Sequence, residues 1–179
     1  MNRVIIRRVI NPFRLFFVRT NQRIGKKNML SLLTELSFAK TANVIIGDRV
    51  CSDGVCRFVA SEESSLSIGD NCYFNTNCFI GTRRRIIIGK HCLFGPGVSI
   101  IDNNHGFEKG KGISSNQYID GEVVIGNECW FGANVTILKD SHIGDGCIIG
   151  AGCVVKGNIP SNSIVTNHSC LHIHQIEDR

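Results

Sequence analysis

A chain of 179 residues with 42% hydrophobic and 20% charged content is long enough for one domain with a real core, and its composition is that of an ordinary soluble protein. The formal charge of +5 is concentrated: of 20 lysines and arginines, Arg3, Arg7, Arg8, Arg14, Arg19, Arg23, Lys26 and Lys27 fall in the first 27 residues, which hold no acid. The apolar run from Val4 to Val18 is broken by Arg7, Arg8, Asn11, Pro12 and Arg14, which excludes a membrane span and the apolar core of a signal peptide.

Residues 1–43 read as a basic segment followed by a short helix, the latter expected over the leucine-rich stretch from Met29 to Lys40. The interleaving of the arginines with Val4, Ile5, Ile6, Val9, Ile10, Phe13, Leu15, Phe16 and Phe17 admits two uses. It suits peripheral attachment to an anionic membrane surface, and equally a cap over the open end of whatever follows. A cytoplasmic location, free or on the inner face of the membrane, is the expectation.

From Val44-Ile45-Ile46-Gly47-Asp48 onward the chain turns repetitive. Hexads begin at Ile68, Phe74 and Ile80, then at Ile88, Phe94 and Ile100, then at Ile125, Phe131, Ile137, Ile143, Ile149 and Val155, often with glycine next. A period of six fits neither an amphipathic helix nor a half-buried strand, whose repeats are 3.6 and two. Three short strands joined by three corners, stacking every eighteen residues, do produce it. Residues 44–165 are therefore expected to form an all-β prism, and 166–179 a tail.

In such a prism each hexad leader points inward, and so does the residue two places before it, where space admits only a small side chain. That second slot holds Cys72, Cys78, Cys92, Val98, Cys129, Val135, Ser141, Cys147 and Cys153. Six of the nine cysteines thus share one repeating position, as small buried hydrophobes and not as disulfides, metal ligands or nucleophiles.

Two interruptions break the period, and in solenoids these map to loops on the working face. Thr82–Ile87 adds two residues and carries Arg83, Arg84 and Arg85; residues 106–124 are polar, rich in turn signals, and form an extruded loop that begins after His105. Of six histidines, His91 and His142 sit at corner or outward positions of regular hexads, while His168, His172 and His174 lie beyond the repeat. His105 alone stands where a coil meets a long loop.

The segments Ile68-Gly-Asp-Asn-Cys-Tyr-Phe-Asn75, Ser99-Ile-Ile-Asp-Asn-Asn-His105, and Ile125-Gly-Asn-Glu-Cys-Trp-Phe-Gly-Ala-Asn-Val-Thr-Ile137 running into Ile143-Gly-Asp-Gly-Cys-Ile-Ile-Gly-Ala-Gly152 resemble the hexapeptide-repeat acyltransferases. Within that superfamily the chain is similar to galactoside and maltose O-acetyltransferases and to O-acetyltransferases of bacterial surface polysaccharides. The resemblance implies a left-handed parallel β-helix, a homotrimer with an active site in each groove between neighbouring prisms, and acetyl-CoA lying along that groove as co-substrate. It assigns His105 as catalytic base, Asn75 to the acceptor, and Trp130, Ala133 and Ala151 to the pantetheine and acetyl groove, with Lys156 near the adenosine end. Two departures stand out: Gly157 occupies a position where the family often has lysine, and the usual glycine-proline segment is replaced by Thr166-Asn-His-Ser-Cys-Leu-His-Ile-His174.

The chemistry is consistent with these residues. The thiol of CoA is a good leaving group, with a pKa near roughly 8.5, whereas a sugar hydroxyl is a poor nucleophile. A base near neutrality contributes roughly 10²- to 10⁴-fold, and histidine supplies it without a metal. The second ring nitrogen of His105 needs a partner, for which Asp102, Asp120 and Glu122 are candidates. Together with this chemistry, the resemblance implies an acetyl-CoA-dependent O-acetyltransferase acting on a sugar hydroxyl of a surface polysaccharide or its precursor. Its competitors are an N-acetyltransferase acting on an amino sugar or xenobiotic, a serine acetyltransferase, a carbonic-anhydrase-like metal enzyme using His91, His105 and His142, and a non-enzymatic trimeric scaffold. A metal site in the tail, built from His168, Cys170, His172 and His174, is a further alternative.

Overall fold

The computed structural model describes residues 21–110 and 112–167, with strands and no helix among them. The strands build a parallel β-solenoid whose three faces recur down the chain. The first face contains Gln22–Ile24, Asn43–Ile46, Ser65–Ile68, Arg85–Ile88 and Glu122–Ile125. The second contains Cys51–Ser52, Tyr73–Phe74, Leu93–Phe94, Trp130–Phe131, Ile148–Ile149 and Ile164–Val165. The third contains Glu35–Phe38, Arg57–Ala60, Phe79–Thr82 and Ser99–Ile101. Thr136–Ile143 and Val154–Ile159 run from the third face round a corner onto the first, so those two faces share one hydrogen-bonded sheet.

Register puts like residues on top of one another. On the first face Ile46, Ile68, Ile88, Ile125 and Ile143 stack; on the third, Phe58, Ile80, Ile100, Ile137 and Val155. On the second, Phe74, Phe94 and Phe131 form a column with ring centroids 4.5 and 4.8 Å apart and planes within 3°. The spacing is that of adjacent strands, so the rings stack because the backbone repeat sets their distance.

The small inward slot behaves as the period requires: Cys72, Cys78, Cys92, Val98, Cys129, Val135, Ser141, Cys147 and Cys153 are all buried. All eight cysteines among the described residues are free thiols. They also do something valine does not. The Sγ atoms of Cys72, Cys92, Cys129 and Cys147 lie 3.1–3.2 Å from the carbonyl oxygens of Gly89, Gly126, Gly144 and Pro160 in the following coil and donate to them. Each thiol thereby satisfies a corner carbonyl that has turned away from the ladder.

Glycine is needed at the corners for close approach. A Cβ on Gly89 would lie 2.5 Å from the carbonyl group of Gly126 one coil on, where neither backbone has room to yield.

The structure corrects the reading of the N-terminal third. The expected helix over Met29–Lys40 is absent: Glu35–Phe38 is a strand paired in parallel with Arg57–Ala60, and Met29 bridges to Cys51. Leu36 and Phe38 alternate with polar neighbours and pack toward the core, and the ready-made edge of the next coil supplies the hydrogen bonds that a helix would have made internally. The solenoid therefore begins before Val44, with Gln22–Ile24 covering Val44–Ile46. That strand includes the end of the basic segment; residues 1–20 and 168–179, with the membrane or cap reading of the former and the metal reading of His168, Cys170, His172 and His174, lie outside the described residues.

Candidate active site

The interruption after Ile101 is an antiparallel hairpin, Asn103–Glu108 against Gly112–Asp120, after which Glu122–Ile125 rejoins the first face. The extruded segment is thus ordered as two strands, and residues 122–124 belong to the coil. Its base is held by Asp102. This side chain is fully buried, and its carboxylate accepts the Thr82 hydroxyl at 2.7 Å, the backbone N–H of Arg83 at 2.9 Å, of Arg84 at 2.9 Å and of Arg85 at 2.8 Å. The two sequence interruptions are therefore one structural feature: the carboxylate at the start of the long insertion caps the corner that carries the short one.

His105 projects from the first hairpin strand, exposed, opposite Tyr118. Between His105 and Gly106 the register slips, so that Gly106 pairs with Ser114. Such irregularities re-aim side chains. Gly106 permits this one, since a Cβ there would sit 3.0 Å from the Cβ of Gln117. The imidazole lies 4.6 Å, centroid to centroid, from the Tyr118 ring. Both border a cavity of about 480 Å3 whose walls include Ser61, Phe79, Gly81, Arg83 and Asn104. Gly81 makes room for the Phe79 ring, whose Cζ would be 2.8 Å from any Cβ at that position.

None of the three carboxylates proposed for His105 is turned to it. Asp102 is committed to the Thr82–Arg85 corner. Asp120 accepts Nε of Arg83 at 3.1 Å. Glu122 takes Nη1 of Arg85 at 2.8 Å and Nε2 of His142 at 2.9 Å, and these partners, His142 first, hold its carboxyl below the usual range. All three acids answer groups of Arg83, Arg84, Arg85 and His142 stacked beside them across coils, contacts between residues 17 to 37 apart in the chain.

The other predicted site residues form a second group. Trp130 is outward on the second face, 53% exposed, between Leu93 and Ile148 in the neighbouring coils. Ala133 and Ala151 follow at the corner between second and third faces, in successive coils so close that a Cβ on Gly132 would touch the nitrogen of Ala151 at 2.6 Å. Asn75 lies on the same corner ridge, its Oδ1 accepting the Thr76 N–H at 2.7 Å. Lys156 stands elsewhere, exposed on the corner between third and first faces, where its charge helps hold the Asp140 carboxyl low, after the larger effect of Lys139. Within one chain, then, the Trp130–Ala133–Ala151 ridge and His105 lie beyond opposite edges of the third face. Tyr118 and Arg83 were not predicted for the site; nothing in their sequence spacing signals a contact made across a hairpin with a register slip.

Residues 122–157 match the family described as bacterial transferase hexapeptide (six repeats). Over that segment the chain is similar to hexapeptide-repeat transferases. Its prism matches the left-handed parallel β-helix of hexapeptide-repeat proteins. A Saccharomyces cerevisiae protein that carries the name acetyltransferase provisionally is 28% identical over 163 residues, 89% of this chain and 82% of its own. The solved structure of a galactoside acetyltransferase in complex with coenzyme A is 27% identical with a TM-score of 0.52, covering 64% of this chain and 58% of that one. The N-acyltransferase AntD from Bacillus cereus, solved with coenzyme A and dTDP-4-amino-4,6-dideoxyglucose, shares the fold at a TM-score of 0.63 and 15% identity, covering 84% of this chain and 79% of that one. Among the described residues, no three His, Cys, Asp or Glu side chains are grouped to hold a metal ion, and His91, His105 and His142 stand apart: His91 at a corner, His142 on the first face, His105 on the hairpin.

Proposed function

We propose that this hexapeptide-repeat protein is an acetyl-CoA-dependent O-acetyltransferase, with a sugar hydroxyl as acceptor and His105 as general base. The observation that carries the reading is the setting of His105: an exposed imidazole on an ordered hairpin, at the rim of a cavity large enough for a sugar ring, in a chain whose solved relatives include a galactoside acetyltransferase in complex with coenzyme A. In this reading the hydroxyl proton passes to the imidazole as the oxygen attacks the acetyl carbonyl and the CoA thiolate departs. The residues suit the donor as well. The flat indole of Trp130 beside the small Ala133 and Ala151 makes a shallow apolar wall for a thin acyl-pantetheine arm, whereas Lys156 lies away from this wall, on the corner between third and first faces.

Because that wall and His105 lie on opposite edges of the third face, the donor and the base meet most simply when two copies of the chain face one another. This supports a homotrimer with three shared grooves, and the exposed Leu93, Trp130, Val154 and Ile164 side chains give such a contact apolar area. A surface polysaccharide or its precursor is the acceptor class we favour.

The test is transfer of labelled acetyl from acetyl-CoA to a panel holding a methyl galactoside, maltose, an amino sugar and serine, with the chain and its His105→Ala variant. The sugar hydroxyls should be acetylated, and His105→Ala should lower kcat by roughly 10²-fold or more with acetyl-CoA affinity unchanged. Near-normal turnover by the folded variant removes the base; preference for the amine or serine removes the acceptor.

A further inference from the structure

We infer that Tyr118 and Arg83 are positioning residues for His105, holding the imidazole by a stacked column in place of the carboxylate that usually orients a histidine base. The inference rests on His105 being the base, as proposed above.

Four observations lead to it. The ring of Tyr118 packs on the imidazole at 4.6 Å, tilted by 38°. The guanidinium carbon of Arg83 lies 3.7 Å from the centroid of the same Tyr118 ring, in cation–π contact. Arg83 is in turn fixed twice: its Nε donates to Asp120 at 3.1 Å, in the register position at the foot of the hairpin, and its backbone N–H donates to both oxygens of the buried Asp102, at 2.9 and 3.1 Å. Finally, the three nearby carboxylates are engaged with other partners, so none restrains the imidazole directly.

The consequence is geometric. A histidine on an exposed hairpin strand would sample several rotamers, and a general base must hold its nitrogen within hydrogen-bond reach of one proton. The Tyr118 ring supplies a flat wall that limits that freedom. The arginine keeps the wall from swinging, because it is tied to the prism through the Asp102 side chain, which cannot move without leaving the buried Thr82 hydroxyl and three backbone N–H groups without this acceptor. The column thus transmits the rigidity of the core to a residue that lies outside it. It also accounts for the short insertion at Thr82–Ile87, which lifts Arg83 out of the repeat to reach Tyr118. The phenol hydroxyl takes no part in this; the ring alone does the work.

The experiment measures kcat, the KM for acetyl-CoA and the thermal midpoint for Tyr118→Leu, Tyr118→Phe and Arg83→Gln, using whichever acceptor of the panel above turns over fastest. Tyr118→Leu should lower kcat about tenfold or more, as small misplacements of a catalytic group do, with the donor KM within about twofold and the prism still folded. Tyr118→Phe should keep at least about half the wild-type kcat, and Arg83→Gln should lose about three- to tenfold. In a His105→Ala background Tyr118→Leu should cost nothing further, since its effect acts through the imidazole. Unchanged kcat in Tyr118→Leu, an equal loss in Tyr118→Phe, or the same loss with His105 already removed would each overturn the column while leaving the base intact. Full activity of His105→Ala would instead overturn the reading beneath it.

Discussion

Asp102 offers the sharpest separation between two roles, an anchor of the fold or a partner of the catalytic histidine. In the structure its buried carboxylate accepts from the Thr82 hydroxyl and from three consecutive backbone N–H groups. Asp102→Ala strands these donors. Thr82 is buried and loses a charge-assisted bond, at about 2 kcal/mol; the N–H groups of Arg83, Arg84 and Arg85 lie under partly exposed or exposed residues and recover some water, at about 0.5–1 kcal/mol each. The total is about 4 kcal/mol, which in a domain of this size lowers Tm by roughly 8–16 °C. Asp102→Asn keeps one acceptor and turns an NH2 toward donors, so about half that loss is expected. Thermal unfolding by circular dichroism, paired with kcat measured well below the transition, decides the matter. An anchor predicts a large fall in Tm with less than about tenfold loss of kcat per folded molecule. An unchanged Tm with a collapse of kcat in Asp102→Asn would refute the reasoning and restore Asp102 as the partner of His105.

Three further outcomes are expected. The buried thiols Cys72, Cys92, Cys129 and Cys147 should react with a thiol reagent only as the protein unfolds; burial and neighbouring sulfur also keep Cys92 in its thiol form, its pKa pushed up to about 12 by the Cys72 thiol and desolvation against the opposing pull of Cys129. Rapid labelling of the native protein would contradict the inward register. Sedimentation at micromolar concentration should give three times the chain mass, and Trp130→Asp should weaken assembly, donor binding or both; an active monomer would remove the shared groove. Co-sedimentation with anionic liposomes should be lost on deleting residues 1–20 if the basic segment binds membranes, each basic residue near the surface adding roughly 1 kcal/mol, whereas equal behaviour of both chains would exclude that role.

How far the chain explains itself differs from place to place. The hexad period alone determined the prism, its inward leaders and the fate of the cysteines, because a three-cornered coil leaves room for one large and one small side chain per strand, and any other register buries polar residues. It also marked His105, since a break in a solenoid must leave the core. The N-terminal coils were hidden: Leu36 and Phe38 become strand residues only because Arg57–Ala60 offers them a parallel edge, a partner 22 residues away that local propensity does not see. The choice among the candidate acid partners was closed to the sequence for the same reason. Asp102, Asp120 and Glu122 pair with residues brought beside them by stacking, and sequence distance from His105 decides nothing once each carboxylate has a cation or N–H group one coil away. The column from Arg83 through Tyr118 to His105 depends on a hairpin whose register slips at Gly106, and the rings and charge meet only because tertiary structure places that slip over the Thr82–Arg85 corner.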